Sequence, residues 1–497
     1  MSDALALGLP AGLALAAYLI AMLTIGVEAR RYTRAASGID YFLGSKVTGI
    51  VMLFFTMQAT QYSGNAFFGF TGMGYRSGLI WILAVPLVCL IITVQLSFAP
   101  RLYVLSKRYG YLTPADYYAD RFGSPALRLL VATLTILSMF PYLMIQAEAT
   151  GHAFAGLTAG ELPFWSGVVF ISVVMFVYVV TGGWRAVVWT DAIQGVWLTF
   201  AVIAAAAFAL DAAGGLPNVL SHVEASAPEK LRAPASFETL TASWLSLLIV
   251  SGVGFAMYPQ AVQRIYAARN AQALKTSFSL MLLVPFVIGT ATLVIGMSAL
   301  VLFPGLDGIE SDAVFSMLLA RMLEDHYWLV VFVLCGVLAA IMSTASSVVL
   351  TLASVFANDL YAPLTGRKLD DAALARIGRW FTFVILFLVV LASIEPTTSL
   401  WRLTEIKVEF LMQLFPPLIF GLYWARYSRL GAIAGLLAGT LVVGTMTVTG
   451  FGRWWLFQAG LWGLAVNGIV GVGTSMLFDV AADERARVDR RFFVLFR

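Results

Sequence analysis

The stretch Gln58-Ala59-Thr60-Gln61-Tyr62-Ser63-Gly64-Asn65 interrupts an apolar run, 47 to 73, that is long enough to cross a bilayer. Polar side chains and a glycine at that depth read as a break in the helix. A break frees backbone carbonyls, which are tolerated inside a membrane only where something polar takes them up. A second interruption, Ser251-Gly252-Val253-Gly254 followed by Pro259, falls in the run 241 to 260. Each opens a block of five apolar runs, and paired interruptions in corresponding positions point to inverted repeats with a binding site at the breaks. The plainer alternative for either segment is a kinked helix whose Ser and Thr bond back to their own backbone.

Composition identifies the solvent. Apolar residues make up 60% of the 497 and charged residues 12%, against about 25% charged in ordinary soluble domains. Thirteen runs have spanning length: 7 to 27, 47 to 73, 79 to 99, 128 to 149, 164 to 181, 190 to 211, 241 to 260, 277 to 303, 328 to 355, 378 to 394, 407 to 424, 430 to 449 and 456 to 478. The expected fold is all-α and integral to the membrane, one transmembrane domain over 1–497. It divides into an extra helix (7–27), two five-helix blocks (47–211 and 241–424), two C-terminal helices (430–478) and a tail (479–497).

The first run is preceded by Asp3 and followed by Arg30, Arg31 and Arg34, the wrong order for a cleaved signal. With thirteen crossings, 24 of the 31 basic residues fall on one face. The other holds Arg76, Lys230, Arg232, Arg321, Arg402, Lys407 and Arg453. The positive-inside rule then puts the N-terminus outside and the C-terminus in the cytoplasm, as expected for a multi-pass protein of the cell (inner) membrane. Positive charge spread over every inner loop is a topology signal and not a nucleic-acid footprint. Cys89 and Cys335 lie in apolar runs, and His152, His222 and His326 form no ligand spacing. The acidic outer loops, 212 to 240 and 304 to 327, read as solvated faces.

A second polar feature lies in the run 328 to 355, Ala340-Ile341-Met342-Ser343-Thr344-Ala345-Ser346-Ser347. Spacings of three and four residues gather Ser343, Ser346 and Ser347 on one helix face and bring Thr344 beside Ser347. Converging oxygens suit a hard cation such as Na⁺ as it sheds water. Asp191, at the inner end of the sixth run, is a costly carboxylate unless paired or functional, or caps a helix start with Thr190. Glu148 near the outer end of the fourth run has the same two readings.

Six pieces of this chain, in order, resemble the sodium/solute symporters, the family of proline, pantothenate, sialic acid, monocarboxylate and sodium/glucose carriers. They are Ser63-Gly64 with Gly69, Gly72 and Gly74-Tyr75; Thr113-Pro114-Ala115-Asp116-Tyr117 with Arg121-Phe122-Gly123; and Gly182-Gly183-Trp184-Arg185-Ala186-Val187 leading to Thr190-Asp191 and Gln194. Then come Tyr258-Pro259-Gln260 with Arg264, Ala340 to Thr344 ending at Asn358-Asp359-Leu360-Tyr361, and Gly421-Leu422-Tyr423-Trp424. The resemblance implies the leucine-transporter type of fold, five plus five inverted helices, here with one extra helix before and two after.

It also implies a principal Na⁺ site at the carbonyls of Ala59, Tyr62 and Ala340 and the hydroxyls of Ser343 and Thr344. Some members carry a second Na⁺ site, whose matching residues here are Asp191, Ser346 and Ser347 with Ser343 shared, so one or two ions are expected. Substrate positions that follow are Gln61, Ser63, Asn65, Gln146, Ser251, Phe255, Tyr258 and Gln413. Gln61 and Ser251 stand where proline carriers have Asp and Trp. Neutral donors, aromatic rings and a helix N-terminus at the break suit a small carboxylate-bearing solute, a monocarboxylate, pantothenate-like molecule or amino acid.

The expected mechanism is import by alternating access, with Na⁺ holding the broken second run against the ninth and the membrane potential adding about 2.3 kcal/mol per charge per 100 mV. A proton-coupled symporter would use Asp191 or Glu148 instead. A transporter-like sensor would need a signalling domain, and an enzyme a nucleophile with a base. No obligate protein partner and no enzyme activity are expected.

Overall fold

The computed structural model describes residues 8–32, 38–157, 162–232, 244–395, 400–455, 457–478 and 482–496. Arg34, Glu238, Arg497 and the expected start of the second block at 241 lie outside them. The architecture is all-α: among the described residues the strands are one pair of two residues each, Arg453–Trp454 with Phe457–Gln458. Among the described residues ten helices are long and apolar enough to cross a membrane, and eleven if the bent pair Leu245–Ala256 and Pro259–Ala267 counts as one.

The difference from thirteen comes from continuity. Gly64–Tyr109 runs for 46 residues and Phe164–Ala212 for 49, each about twice the roughly 20 residues that one crossing needs. Within Phe164–Ala212, where the sequence reads as two runs and a connection, the chain stays helical except at Gly183, whose φ of 57° and ψ of −151° make a kink. A side chain is strained at that φ, and a Cβ there would lie 2.7 Å from the Tyr41 ring. Arg185, expected in the connection, pairs with Asp40 at 3.0 Å.

Both spans break, but in the second Ser251–Gly254 stays helical within Leu245–Ala256 and the break falls at Met257–Tyr258. Ile50–Gln61 stops where Tyr62 and Ser63 turn extended (φ −106°, ψ 107° and φ −98°, ψ −176°), and the chain resumes as Gly69–Ser77. Ser63 Oγ accepts from Asn65 N at 3.3 Å, capping the short turn Gly64–Ala66. In the second interruption Pro259 opens a new helix, which pushes Tyr258 out of helical geometry. The two halves there meet at 48°.

Tyr327–Val355, the hydroxyl-bearing helix, is the axis of the molecule. Its most apolar stretch is 89% buried in protein, and it packs on Phe164–Ala212, Pro125–Leu157 and the first broken helix. Gly64 permits a close approach: a Cβ there would sit 2.8 Å from Ile341 Cγ1.

Candidate ion and solute site

The end of Ile50–Gln61 meets the middle of the hydroxyl helix. Ser343 Oγ donates to Ala59 O at 2.9 Å and to Ala340 O at 3.2 Å, and Thr344 Oγ1 donates to Ala59 O at 3.4 Å. Ala59, Ala340, Ser343 and Thr344 are all fully buried. Four of the five residues expected at the principal ion site thus converge on one point. The fifth, Tyr62, follows at the break, where its N–H still donates to Gln58 O at 3.1 Å. The donor set is carbonyl and hydroxyl oxygen with no net charge, which fits a monovalent hard cation, since unwound carbonyls are the usual ligands of Na⁺ in broken-helix transporters.

One helical turn away, the second expected cluster has a cation of its own. Arg264, from the second half of the other broken helix, donates through Nη2 to Asp191 Oδ2 at 3.0 Å, Ser347 Oγ at 2.7 Å and Thr56 Oγ1 at 2.8 Å. Thr56 Oγ1 donates on to Asp191 Oδ2 at 2.5 Å. Ser346 turns aside, donating to Ser343 O at 3.2 Å. Sequence reading placed Arg264 on the inner face; it lies 1% exposed at the centre of the molecule.

Beside the first break is a small cavity of about 30 Å³. Gln61, Ser63, Asn65, Phe255 and Tyr258 line it, as does Tyr62. Gln146, Ser251 and Gln413 do not. Gln146 Nε2 donates to Tyr142 O at 3.4 Å within its own helix. Gln413 faces the C-terminal helices, donating to Gly460 O at 3.2 Å and accepting from Asn467 Nδ2 at 3.4 Å. Ser251 is buried in the first half of its broken helix.

Tyr142 and Lys407 are among the lining residues that the sequence reading missed. Lys407 was counted with the outer loops; it is 1% exposed inside the protein. The signal was present, because an ionisable residue within a spanning helix marks a functional site by default. Position at the first residue of an apolar run hid it.

The loops at 100–127 and 356–377 close one end of the molecule with ion pairs. Arg128 pairs with Asp116 at 2.8 Å and Asp359 at 3.2 Å, and Thr113 Oγ1 donates to Asp359 Oδ2 at 2.6 Å. The C-terminal segment lies on this end: Arg491 pairs with Asp120 at 2.8 Å, and Phe492 is buried beside Tyr109 and Tyr117.

The family model for the sodium:solute symporters matches residues 41–439. The chain belongs to the sodium:solute symporter family. It is a multi-pass membrane protein of a transporter family and not an enzyme. Relatives of this family member include the sodium/pantothenate symporter of Escherichia coli, 26% identical over 86% of this chain and 88% of that one. The sodium/proline symporter of Haemophilus influenzae is 28% identical over 86% of each chain. Among solved structures, a substrate-bound, outward-open Na⁺-coupled sialic acid symporter aligns with a TM-score of 0.80 at 20% identity, covering 95% of this chain and 98% of that one. Mhp1, a nucleobase-cation-symport-1 family transporter, aligns at 0.57 and 13% identity over 92% and 98%. These likenesses establish the leucine-transporter type of fold.

Proposed function

We propose that this protein imports a small, carboxylate-bearing organic solute across the cell (inner) membrane, driven by Na⁺, by alternating access. The observation that carries the reading is the double donation of Ser343 and Thr344 to the Ala59 carbonyl, at the point where the first broken helix ends. A Na⁺ entering there replaces those hydroxyl protons as the partner of the carbonyl and is held by Ala59, Tyr62, Ala340, Ser343 and Thr344. Binding joins the broken helix to the hydroxyl helix, and so orders the cavity in which Gln61, Ser63, Asn65, Phe255 and Tyr258 hold the solute. The topology read here is thirteen crossings, N-terminus outside and C-terminus inside.

Relatives that carry pantothenate and proline support a small solute. Gln61, which lines the cavity where proline carriers have Asp, turns the reading away from proline. Arg264 already holds Asp191 Oδ2 and Ser347 Oγ of the second expected cluster, so the stoichiometry proposed is one Na⁺. The same pairing favours Na⁺ over H⁺, because Asp191 already has a cation.

Reconstitution into proteoliposomes tests the function. Uptake of labelled small carboxylates should require an inward Na⁺ gradient and not respond to a proton gradient alone. Ser343→Ala and Thr344→Ala should each lose Na⁺-driven uptake. Na⁺-independent uptake, or normal transport by both variants, overturns the reading.

A further inference from the structure

Lys407 reaches the cavity from the helix Leu400–Leu411, and three aromatic rings surround its ammonium. Nζ lies 3.5 Å from the centre of the Tyr142 ring, 5.1 Å from that of Tyr258 and 5.2 Å from that of Phe255. The rings pack on one another, Tyr142 against Tyr258 at 5.2 Å and Tyr258 against Phe255 at 5.3 Å. The lysine is 1% exposed, and among the described residues it has no ion pair and no hydrogen-bond acceptor.

The rings screen the charge, but they leave the three N–H donors of the ammonium without an acceptor, and a buried charge is costly unless it is paired and hydrogen-bonded. The acids on the same helix are turned elsewhere. Glu405 pairs with Arg402 at 3.1 Å and Arg453 at 3.6 Å and accepts from Gln458 Nε2 at 3.2 Å. Glu409 lies against Gly460 of the C-terminal helices. The cavity lining contains no Asp or Glu; its remaining polar groups are Gln61, Ser63, Asn65, Thr404 and the tyrosines.

We infer that Lys407 is the specificity-determining anchor for the solute's carboxylate, and that the protein selects small monocarboxylate anions with an apolar body. One cation answers one carboxylate, so dicarboxylates leave a buried negative charge unpaired. A zwitterionic amino acid brings an ammonium into a cavity whose only fixed charge is already positive. Leu87, Val88, Ile91 and Phe70 complete the lining and receive the apolar part. This inference rests on the reading of the cavity as the solute site.

The test uses the purified full-length protein in detergent, with thermal stability followed in NaCl and in choline chloride. The probes are butyrate and 2-oxobutyrate, the neutral amide butyramide, the dicarboxylate succinate and the zwitterion proline. In wild type the two monocarboxylates should stabilise in Na⁺ while butyramide, succinate and proline should not. Lys407→Met should weaken monocarboxylate binding by about 10- to 150-fold, the range expected for losing a charge-assisted hydrogen bond, and Lys407→Arg should retain part of it. The shift caused by Na⁺ alone should survive in both variants. Its absence in wild type defeats the Na⁺ reading. A Na⁺ shift with no monocarboxylate effect, with a preference for amide, proline or succinate, or with unchanged carboxylate binding in Lys407→Met, or in Lys407→Gln where Lys407→Met fails to fold, overturns the assignment of Lys407.

Discussion

Arg264 Nη2 lies 3.0 Å from Asp191 Oδ2, with the two side chains 1% and 0% exposed. Asp191 belongs to Phe164–Ala212, Arg264 to the second broken helix, Thr56 to the first and Ser347 to the hydroxyl helix. One guanidinium therefore ties both broken helices to the axis of the molecule. The arrangement explains how a cation and an anion persist at this depth: each is the other's partner, and the hydroxyls of Thr56 and Ser347 add hydrogen bonds to Asp191 Oδ2.

Breaking such a pair leaves a lone charge in the interior, which costs about 3–5 kcal/mol. Asp191→Ala and Arg264→Ala should each lower the unfolding temperature of the detergent-solubilised protein strongly. The double variant should lose clearly less than the two losses added together. Simple additivity would show that the pair does not act as a unit.

The ion count follows from the same contact. With Arg264 serving Asp191, Na⁺ activation of uptake should have a Hill coefficient near one. Ser343→Ala should raise the half-saturating Na⁺ at least tenfold, about 1.4 kcal/mol. Ser346→Ala, which removes only a bond to Ser343 O, should leave it unchanged. One Na⁺ with one monoanion is electroneutral, so an imposed membrane potential should not drive accumulation. A Hill coefficient near two with voltage-driven uptake would establish the second ion.

Gly64 lets the break of the first broken helix lie close against the hydroxyl helix. Gly64→Ala places a methyl group 2.8 Å from Ile341 Cγ1, an overpacking of about 1–3 kcal/mol that the helices relieve by separating. Na⁺-driven uptake should fall while expression holds. Ile341→Ala added to Gly64→Ala should recover part of the uptake, measured at equal protein per liposome.

The C-terminal segment offers a contrast between charge and packing. Arg491 and Asp120 form a pair that is 41% and 20% exposed, the kind worth about 0–1 kcal/mol. Phe492 is 2% exposed between Tyr109 and Tyr117, and loss of a buried Phe costs about 3–5 kcal/mol. Phe492→Ala should therefore speed hydrogen exchange across Pro114–Phe122 far more than Arg491→Ala does. Equal effects would show that the charges hold the segment.

Membrane class, helical content and the two breaks were legible in the sequence because each is a local property. Apolar length marks a spanning helix, and a Gly- or Pro-bearing polar stretch marks where one unwinds. The hydroxyls of Ser343 and Thr344 were legible too, since helical spacing fixes which residues share a face. The residues that answer them across space were not. Nothing near Asp191 in the chain indicates Arg264, 73 residues on, and the charge of Lys407 read as a loop marker until the packing of Leu400–Leu411 buried it. Gln413, read as a cavity residue, belongs to the neighbouring helices for the same reason. Sequence determined which segments are apolar enough to span a membrane and that two of them break; tertiary structure alone decided which buried charges meet, because the face a spanning helix turns inward depends on its neighbours.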